Sequence, residues 1–464
     1  MSRQVHHINP VSEWKSVFFL GIGGIGMSAL ARYLKAQAIS VCGFDRTPSQ
    51  LTDELQQENI PVYFSDNPHI IPQTVDIVVY TPAIPEDSRL FQYVMNTGIP
   101  CIKRSVLLGM ITNNNRLLAV AGTHGKTTVS TMLAHIMSFH KGGCNGILGG
   151  ISINHHSNLL LAPGSNVFVT EADEFDRSFL ALKPWLAIIT STDADHLDVY
   201  KDHYALIQAF AEFASQVREG GKLIIKAGLS LQFDAAKNVA VFNYALSENS
   251  DFYAQNIKLI GIFYRFDLVT PFGSLKDLKL GVSGLMNVEN AVAASAAALL
   301  SGASKTTIRK GLATFRGVKR RFDQRIIRND FVYIDDYAHH PQELNACITS
   351  IRKLYPHKEI TGVFQPHLYT RTRDFADDFA ASLEKLDRII LLDIYPAREL
   401  PIPGVSSEML LNKIKNVEKH LLSKDELVDA LLAMKPQILL TLGAGDIDRM
   451  VEPIENAFKS SRSR

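Results

Sequence analysis

Short, uninterrupted apolar runs alternate along most of the chain with stretches whose apolar positions recur at helical spacing. Runs of that length without polar interruption suit strands buried on both faces, and their alternation with helices predicts an α/β protein with parallel sheets. Residues 17–112 form one such unit: the strand SVFFLGIGG, a helix over 27–36, a strand SVCGFD ending at Asp45, then VDIVVYTPA (75–83), GIPCIKRS and the helical VLLGMIT. Asn113-Asn114-Asn115 is the expected joint. A second unit opens with RLLAVAGTHGKTT and continues through strands VFVTEAD (167–173), WLAIITSTDADH (185–196) and KLIIKA. It ends with short antiparallel strands over 251–282 and an alanine-rich helix over 288–300. The basic stretch RGVKRRFDQR (316–325) is expected to be a hinge. It leads to a third unit in which FVYIDD, EITGVFQ, DRIILLDIY and QILLTLG alternate with helices as a doubly wound sheet. The expected domains are 1–113, 114–318 and 319–464.

Length agrees: 464 residues exceed one ordinary core, and at ~100–200 residues per domain they suit about three. The chain is 46% hydrophobic and 20% charged, which excludes a disordered polymer. With 48 basic and 47 acidic residues, no overall field draws it to nucleic acid or a membrane. Cys42, Cys101, Cys144 and Cys347 are far apart, so a disulfide framework or thiolate metal site is not expected. The start, MSRQVHHINPVSEWKS, lacks the layout of a signal peptide, and the most apolar stretches (17–31 and 291–300) fall short of the ~18–20 residues that span a bilayer. A cytoplasmic protein is expected, with a disordered tail SSRSR. The pairs His6-His7 and His155-His156 read as surface chain.

Gly21, Gly23, Gly24 and Gly26 form a G-x-G-x-x-G between a strand and a helix, which lets backbone approach a pyrophosphate. Asp45, closing the next strand, is placed for a ribose hydroxyl. Alone, this motif fits a nucleotide site, an NAD-dependent oxidoreductase included, or a merely structural turn. Gly122-Thr123-His124-Gly125-Lys126-Thr127-Thr128 also joins a strand to a helix, and is two residues shorter between its glycines than the standard phosphate loop. Its amides would cradle phosphate, Lys126 reach the terminal phosphates and a hydroxyl reach magnesium; the alternative is a glycine-rich helix cap. Two acidic strand ends follow, one with Glu171, Asp173, Glu174 and Asp176, the other with Asp193, Asp195, His196 and Asp198. Beside a phosphate loop such oxygen donors suit magnesium; otherwise they are caps and solvated charge. Asn287 and Asn290, three residues apart, fit either base contacts or a helix cap. In the third unit four strand ends are polar: DDYAHHP (335–341), FQPHLYTRTR (364–373), DIYPAR (393–398) and GAGD (443–446). Arg320 and Arg321 could clamp phosphate or belong to a solvated hinge.

The motifs GIGGIGMSALA, AGTHGKTT, TEADEFDRSFL, DADHLD, DDYAHHP, FQPHLYTRTRD and DIYPARE with IPGV occur in the order found in the muramyl ligases of bacterial cell-wall synthesis. The chain resembles that family over nearly its whole length, and most closely its alanine-adding branch. The resemblance implies a three-domain α/β fold: a Rossmann-like domain for UDP-sugar, a central mononucleotide-binding domain with a small antiparallel sheet, and a Rossmann-like domain that receives the amino acid. It implies ATP-dependent joining of L-alanine to the lactoyl carboxylate of UDP-N-acetylmuramate, with ATP and Mg2+ required. The runner-up is a recycling ligase that attaches a ready-made peptide to the same sugar.

By motif matching, Gly21, Gly23, Gly24, Gly26, Asp45, Thr81 and Ala83 would hold the UDP-sugar. Residues Gly122, Thr123, His124, Gly125, Lys126, Thr127 and Thr128, with Asn287, Asn290, Arg321 and Asp336, would hold ATP. Thr127, Glu171 and His196 would hold the metal, and Tyr337, His339, Arg371 and Arg373 would surround the amino acid. Lys126, Arg321 and His339 would be catalytic, His339 as base for the incoming amine. Met286 stands where many relatives have histidine. No lysine occurs over 202–217, where several sister ligases carry a carbamylated one. The expected assembly is a monomer or weak homodimer.

Overall fold

The computed structural model describes residues 8–194, 199–397 and 399–460. Its contacts divide the chain into two compact units: residues up to 258 with 265–281 and 289–316, and residues 259–264, 282–288 and 317 onward.

The first unit opens with a five-stranded parallel sheet of β1 (Ser16–Leu20), β2 (Ser40–Phe44), β3 (Val62–Tyr63), β4 (Ile77–Tyr80) and β5 (Cys101–Lys103), in the order β3-β2-β1-β4-β5. Val17, Phe18, Phe19 and Leu20 are fully buried, as strands covered on both faces require. The order reverses direction at β1, between β2 and β4, and such a switch point opens a crevice at the strands' carboxyl ends.

The middle sheet has ten strands: β6 (Arg116–Ala121), β7 (Asn145–Ser152), β8 (Ser157–Leu160), β9 (Val167–Glu171), β10 (Leu186–Ile189), β11 (Lys222–Lys226), β12 (Ala240–Ala245), β13 (Phe252–Ile260), β14 (Phe263–Val269) and β15 (Leu275–Lys279). They run in the order β15-β14-β13-β12-β11-β10-β6-β9-β7-β8, and β6, flanked by β10 and β9, is again a switch point. The antiparallel pairing expected over 251–282 is present, while the first strand of that stretch joins the rest of the sheet in parallel. β13 begins parallel to β12, whereas β14 and β15 pair antiparallel. One apolar core runs continuously from Trp14 through Phe19, Leu117 and Phe179 to Phe213 and Ile225, so the first two sheets share their packing. Each fully buried side chain of this size contributes ~1.5–3 kcal/mol relative to exposure.

The third sheet consists of β16 (Asp323–Ile327), β17 (Val332–Asp336), β18 (Ile360–Phe364), β19 (Arg388–Leu391), β20 (Glu418–Leu421) and β21 (Ile438–Leu442), ordered β16-β17-β21-β18-β19-β20. All neighbours are parallel except β16 and β17. Its core contains Phe331, Tyr333, Val363, Ile390, Leu431 and Ile454. The basic stretch 316–325 is therefore not a hinge throughout, because from Asp323 it is an edge strand. Arg325 pairs there with Glu455 (2.5 Å) and Asp323 (3.3 Å), so its charge is spent inside the fold. The alanine-rich helix begins at Leu285, ahead of the expected Val288. His6, His7 and the end of the tail lie outside the described residues.

Candidate active site

β6 ends at the middle sheet's switch point and the chain turns at Gly122 (φ 132°), where a Cβ would stand 2.7 Å from the Ser191 amide. Gly125 (φ 83°) makes the second left-handed step before the helix Lys126–Ser138. The loop is braced from β10. The Thr190 hydroxyl lies 3.1 Å from the Ala121 carbonyl and 2.5 Å from that of His124, and Ser191 Oγ accepts from the His124 amide (2.7 Å). Thr123 Oγ1 sits 2.9 Å from Ser191 Oγ and accepts from the Asp193 amide (3.1 Å). Thr190 and Ser191 were not singled out in the sequence, although three consecutive hydroxyl residues (190–192) at the end of a buried strand were the available signal.

Lys126 Nζ donates to the Gly122 carbonyl (2.7 Å) and to Glu174 Oε1 (2.8 Å). Burial works against its charge, but the carboxylates of Glu174, Glu171 and Asp173 outweigh it, and its pKa is raised. Thr127 Oγ1 donates to Glu171 Oε2 at 2.8 Å. Glu171 passes so close to Gly149 of β7 that a Cβ there would lie 2.6 Å from its carboxylate carbon. Gly149 is a second position the sequence did not reveal. A hydroxyl and a carboxylate side by side are hard oxygen donors and fit a magnesium ion. The expected third ligand, His196, lies outside the described residues. Thr128 is partly exposed on the helix's first turn.

At the first sheet's switch point Gly21 (φ 86°) packs against Thr81, whose hydroxyl faces the Ala83 amide (3.5 Å). Gly24 precedes the helix Ile25–Ala36. The Asp45 carboxylate accepts from the Gly23 amide (2.8 Å), so it fixes the glycine turn itself. Arg104 crosses above Gly26 and reaches Asp173 at 3.1 Å, while Lys103 pairs with Asp176 at 2.8 Å. A cleft is lined by residues of both sheets' units, among them Gly26, Arg104, Gly149, Glu171, Asp173 and Phe179.

Asn290 Oδ1 lies 3.3 Å from the position a Cβ on Gly125 would take, which puts it at the loop Gly122–Thr128. Asn287 is buried and donates to the Ser283 carbonyl just ahead of the helix (2.7 Å). Met286 meets the Ser350 hydroxyl (3.2 Å).

The third sheet gathers its polar strand ends. Asp336 is buried and accepts from the amides of Phe322 (2.7 Å) and Ala338 (2.7 Å). Burial pushes its carboxyl up to about 7, against the opposing pull of Arg321 and those amides. Arg321 lies 4.7 Å from the centre of the Tyr337 ring, which meets His339 edge-on at 5.2 Å. His339 Nδ1 faces the Tyr337 carbonyl (3.0 Å) and Glu343 (3.4 Å). Arg320 is committed internally, donating to the Gly443 carbonyl (2.6 Å) beside Asp335 (3.3 Å). Arg371 and Arg373 share the short helix Tyr369–Asp374 two positions apart, hence on opposite faces. Arg371 is partly buried, while Arg373 is exposed and pairs with Asp374 (2.7 Å). The two therefore do not come together.

Three family models match in succession: Mur ligase family, catalytic domain, over 16–116; Mur ligase middle domain over 120–298; and Mur ligase, glutamate ligase domain, over 320–445. A UDP-N-acetylmuramate–L-alanine ligase of Parabacteroides distasonis is 48% identical over 450 residues, 96% of this chain and 97% of that one. The chain belongs to the Mur ligase family. The same-named protein of Porphyromonas gingivalis is 48% identical over 453 residues, 96% of this chain and 99% of that one.

Among solved structures, the UDP-N-acetylmuramate–alanine ligase of Thermotoga maritima superposes with a TM-score of 0.82 at 24% identity, covering 96% of this chain and 99% of that one. A murein peptide ligase of Psychrobacter arcticus gives 0.71 at 22%, with the same coverage. Both show the Mur ligase fold. Mur ligases are ATP-dependent. Family membership also removes the nicotinamide reading of the first glycine turn. No helix among the described residues is long and apolar enough to cross a membrane.

Proposed function

We propose that this Mur ligase joins L-alanine to the lactoyl carboxylate of UDP-N-acetylmuramate at the expense of ATP, in the synthesis of peptidoglycan precursors. The observation that carries the reading is the shared cleft: Gly26, in the first turn of the helix after the glycine turn, and Glu171, whose carboxylate accepts from Thr127, line one cavity. A sugar nucleotide held at the first switch point would extend its carboxylate toward phosphate held at the second. The curated relatives that are 48% identical over nearly both chains carry this activity in their names.

A carboxylate is a poor acyl electrophile because its leaving group would be oxide; phosphorylation converts that group to phosphate. Loop amides and Lys126 would hold the β- and γ-phosphates, with Asn290 beside the loop and Asn287 and Met286 near the base. Thr127, Glu171 and His196 would hold magnesium, which supplies neutralisation of the charge on the transferring phosphoryl group. Arg321 would add a cation there, next to Asp336. Gly21, Gly23, Gly24 and Gly26, with Thr81 and Ala83, would receive the uridine diphosphate, and Asp45 would keep that turn in shape. The amine must be neutral to attack. His339, with Nδ1 engaged by Tyr337 and Glu343, would present Nε2 as base, with Tyr337 and Arg371 around the amino acid. Arg373 stays in this set only if its helix turns. The domain limits 1–113, 114–318 and 319–464 and a monomer or weak dimer complete the reading.

The test is phosphate release from ATP and magnesium with UDP-N-acetylmuramate, comparing L-alanine, glycine, L-serine and the L-Ala-γ-D-Glu-diamino acid tripeptide. Release that depends on L-alanine, with product heavier by one alanine residue, is expected. Dependence on the tripeptide would move the chain to the recycling reaction, and no release from folded protein would refute the proposal.

A further inference from the structure

The phosphate-loop lysine faces inward. Lys126 Nζ is surrounded by three oxygens: the carbonyls of Gly122 (2.7 Å) and Thr123 (3.4 Å) and the carboxylate of Glu174 (2.8 Å). An ammonium has three protons, so this set saturates it. The Glu174 side chain has no solvent exposure, and that of Lys126 retains 12%. Glu174 is fixed from its own backbone as well. The Tyr200 hydroxyl donates to its carbonyl at 2.6 Å, and Asp176 and Arg177, two and three residues on, are both left-handed (φ 54°), a sharp turn that side-chain-bearing residues adopt only when the surroundings impose it. A buried ion pair is a weak contributor to stability compared with an apolar pair of the same volume, so stability does not account for one placed on the phosphate-binding lysine.

We propose that Glu174 is the resident counter-ion of Lys126, which nucleotide phosphate must displace, and that it thereby sets nucleotide affinity. Glu174 is a positioning residue: it holds the ammonium at the floor of the loop until phosphate enters. Because phosphate and carboxylate compete for one cation, affinity for the nucleotide is lowered by whatever the Glu174 contact is worth. The inference rests on Lys126 being the phosphate-binding lysine.

The experiment is calorimetric titration of the full chain with ADP and, separately, with UDP-N-acetylmuramate. Glu174→Gln leaves the ammonium without its buried counter-charge, so the Kd for ADP should fall about tenfold. Glu174→Asp keeps the charge but draws it back by one methylene, so it should tighten ADP binding to a lesser degree. Neither should change the Kd for UDP-N-acetylmuramate. Unchanged or weaker ADP binding by folded Glu174→Gln overturns the proposal, and so does a parallel change for both ligands, which marks general disruption. If Glu174→Gln does not fold, Glu174→Asp decides by the same criteria. Lys126→Met separates the two readings. Wild-type ADP binding and turnover in that variant would remove the role of Lys126 itself, whereas their loss alongside unchanged affinity in Glu174→Gln would remove only the role of Glu174.

Discussion

Asn158, wholly buried on β8, clasps the helix Ile25–Ala36 of the first sheet: its Nδ2 donates to the Ile25 carbonyl (2.6 Å) and the Ser28 hydroxyl (2.9 Å), and its Oδ1 accepts from Arg32 (2.6 Å). One amide thus fixes the glycine-turn helix to the edge of the middle sheet. Asn158→Ala would leave an Arg32 guanidinium N–H without its buried partner, while the Ile25 carbonyl keeps the Ser28 hydroxyl (3.0 Å), at a cost of about 2 kcal/mol. A clear drop in thermal midpoint with weaker UDP-N-acetylmuramate binding is expected. An unchanged midpoint would show that the clasp contributes nothing.

Gly149 leaves room for the Glu171 carboxylate. Gly149→Ala should push Glu171 off Thr127 and raise the magnesium concentration for half-maximal turnover about tenfold, the effect expected for a perturbed ligand. If the requirement for magnesium did not move, Glu171 would not be a ligand.

Thr190→Val removes the hydroxyl between the carbonyls of Ala121 and His124 while keeping the volume. The one hydroxyl proton serves these two carbonyls, so at ~1 kcal/mol for the lost hydrogen bond kcat/KM for ATP should drop about fivefold. The KM for L-alanine should stay where it is, and equal losses for both substrates would contradict a local effect on the loop.

A pH effect is expected from His135, buried on the helix Lys126–Ser138 between His155 (3.2 Å from its Nδ1) and Thr314 (3.0 Å from its Nε2). Burial, and then the neighbouring His155, lower its pKa from 6.5 to about 4. The unfolded chain takes up a proton near 6.5 and the native one only near 4, so stability falls as pH drops through that window and is regained above it. The change from this group is about 3 kcal/mol across the window. His135→Gln should flatten the slope of unfolding free energy between pH 4 and 6.5; an unaltered slope would assign the titration elsewhere.

The parts of the fold that were legible are those whose signal is local. β1, β6 and the first part of β17 carry apolar runs because both faces are covered. β7 (NGILGGIS) does not read as a strand, since three glycines interrupt its apolar run, one of which, Gly149, makes room for the Glu171 side chain of β9. β20 (EKHL) is an exposed edge strand with no apolar face to announce it. Several hydrogen-bond partners of the motif residues are not encoded nearby. Asp45 turned out to bind the Gly23 amide, and Arg320 to bind the Gly443 carbonyl 123 residues away. No sequence pattern marks a hydrogen bond of that range.

The phosphate loop is two residues shorter between its glycines than the standard form, and the hydroxyls of Thr190 and Ser191 brace it from the next strand. A loop of this kind is not portable. Grafted alone onto another strand and helix, it would lack the donors that hold its carbonyls. Any lengthening of the loop during evolution would also have to be matched by changes at 190–191, so the two segments behave as one heritable part encoded in two places.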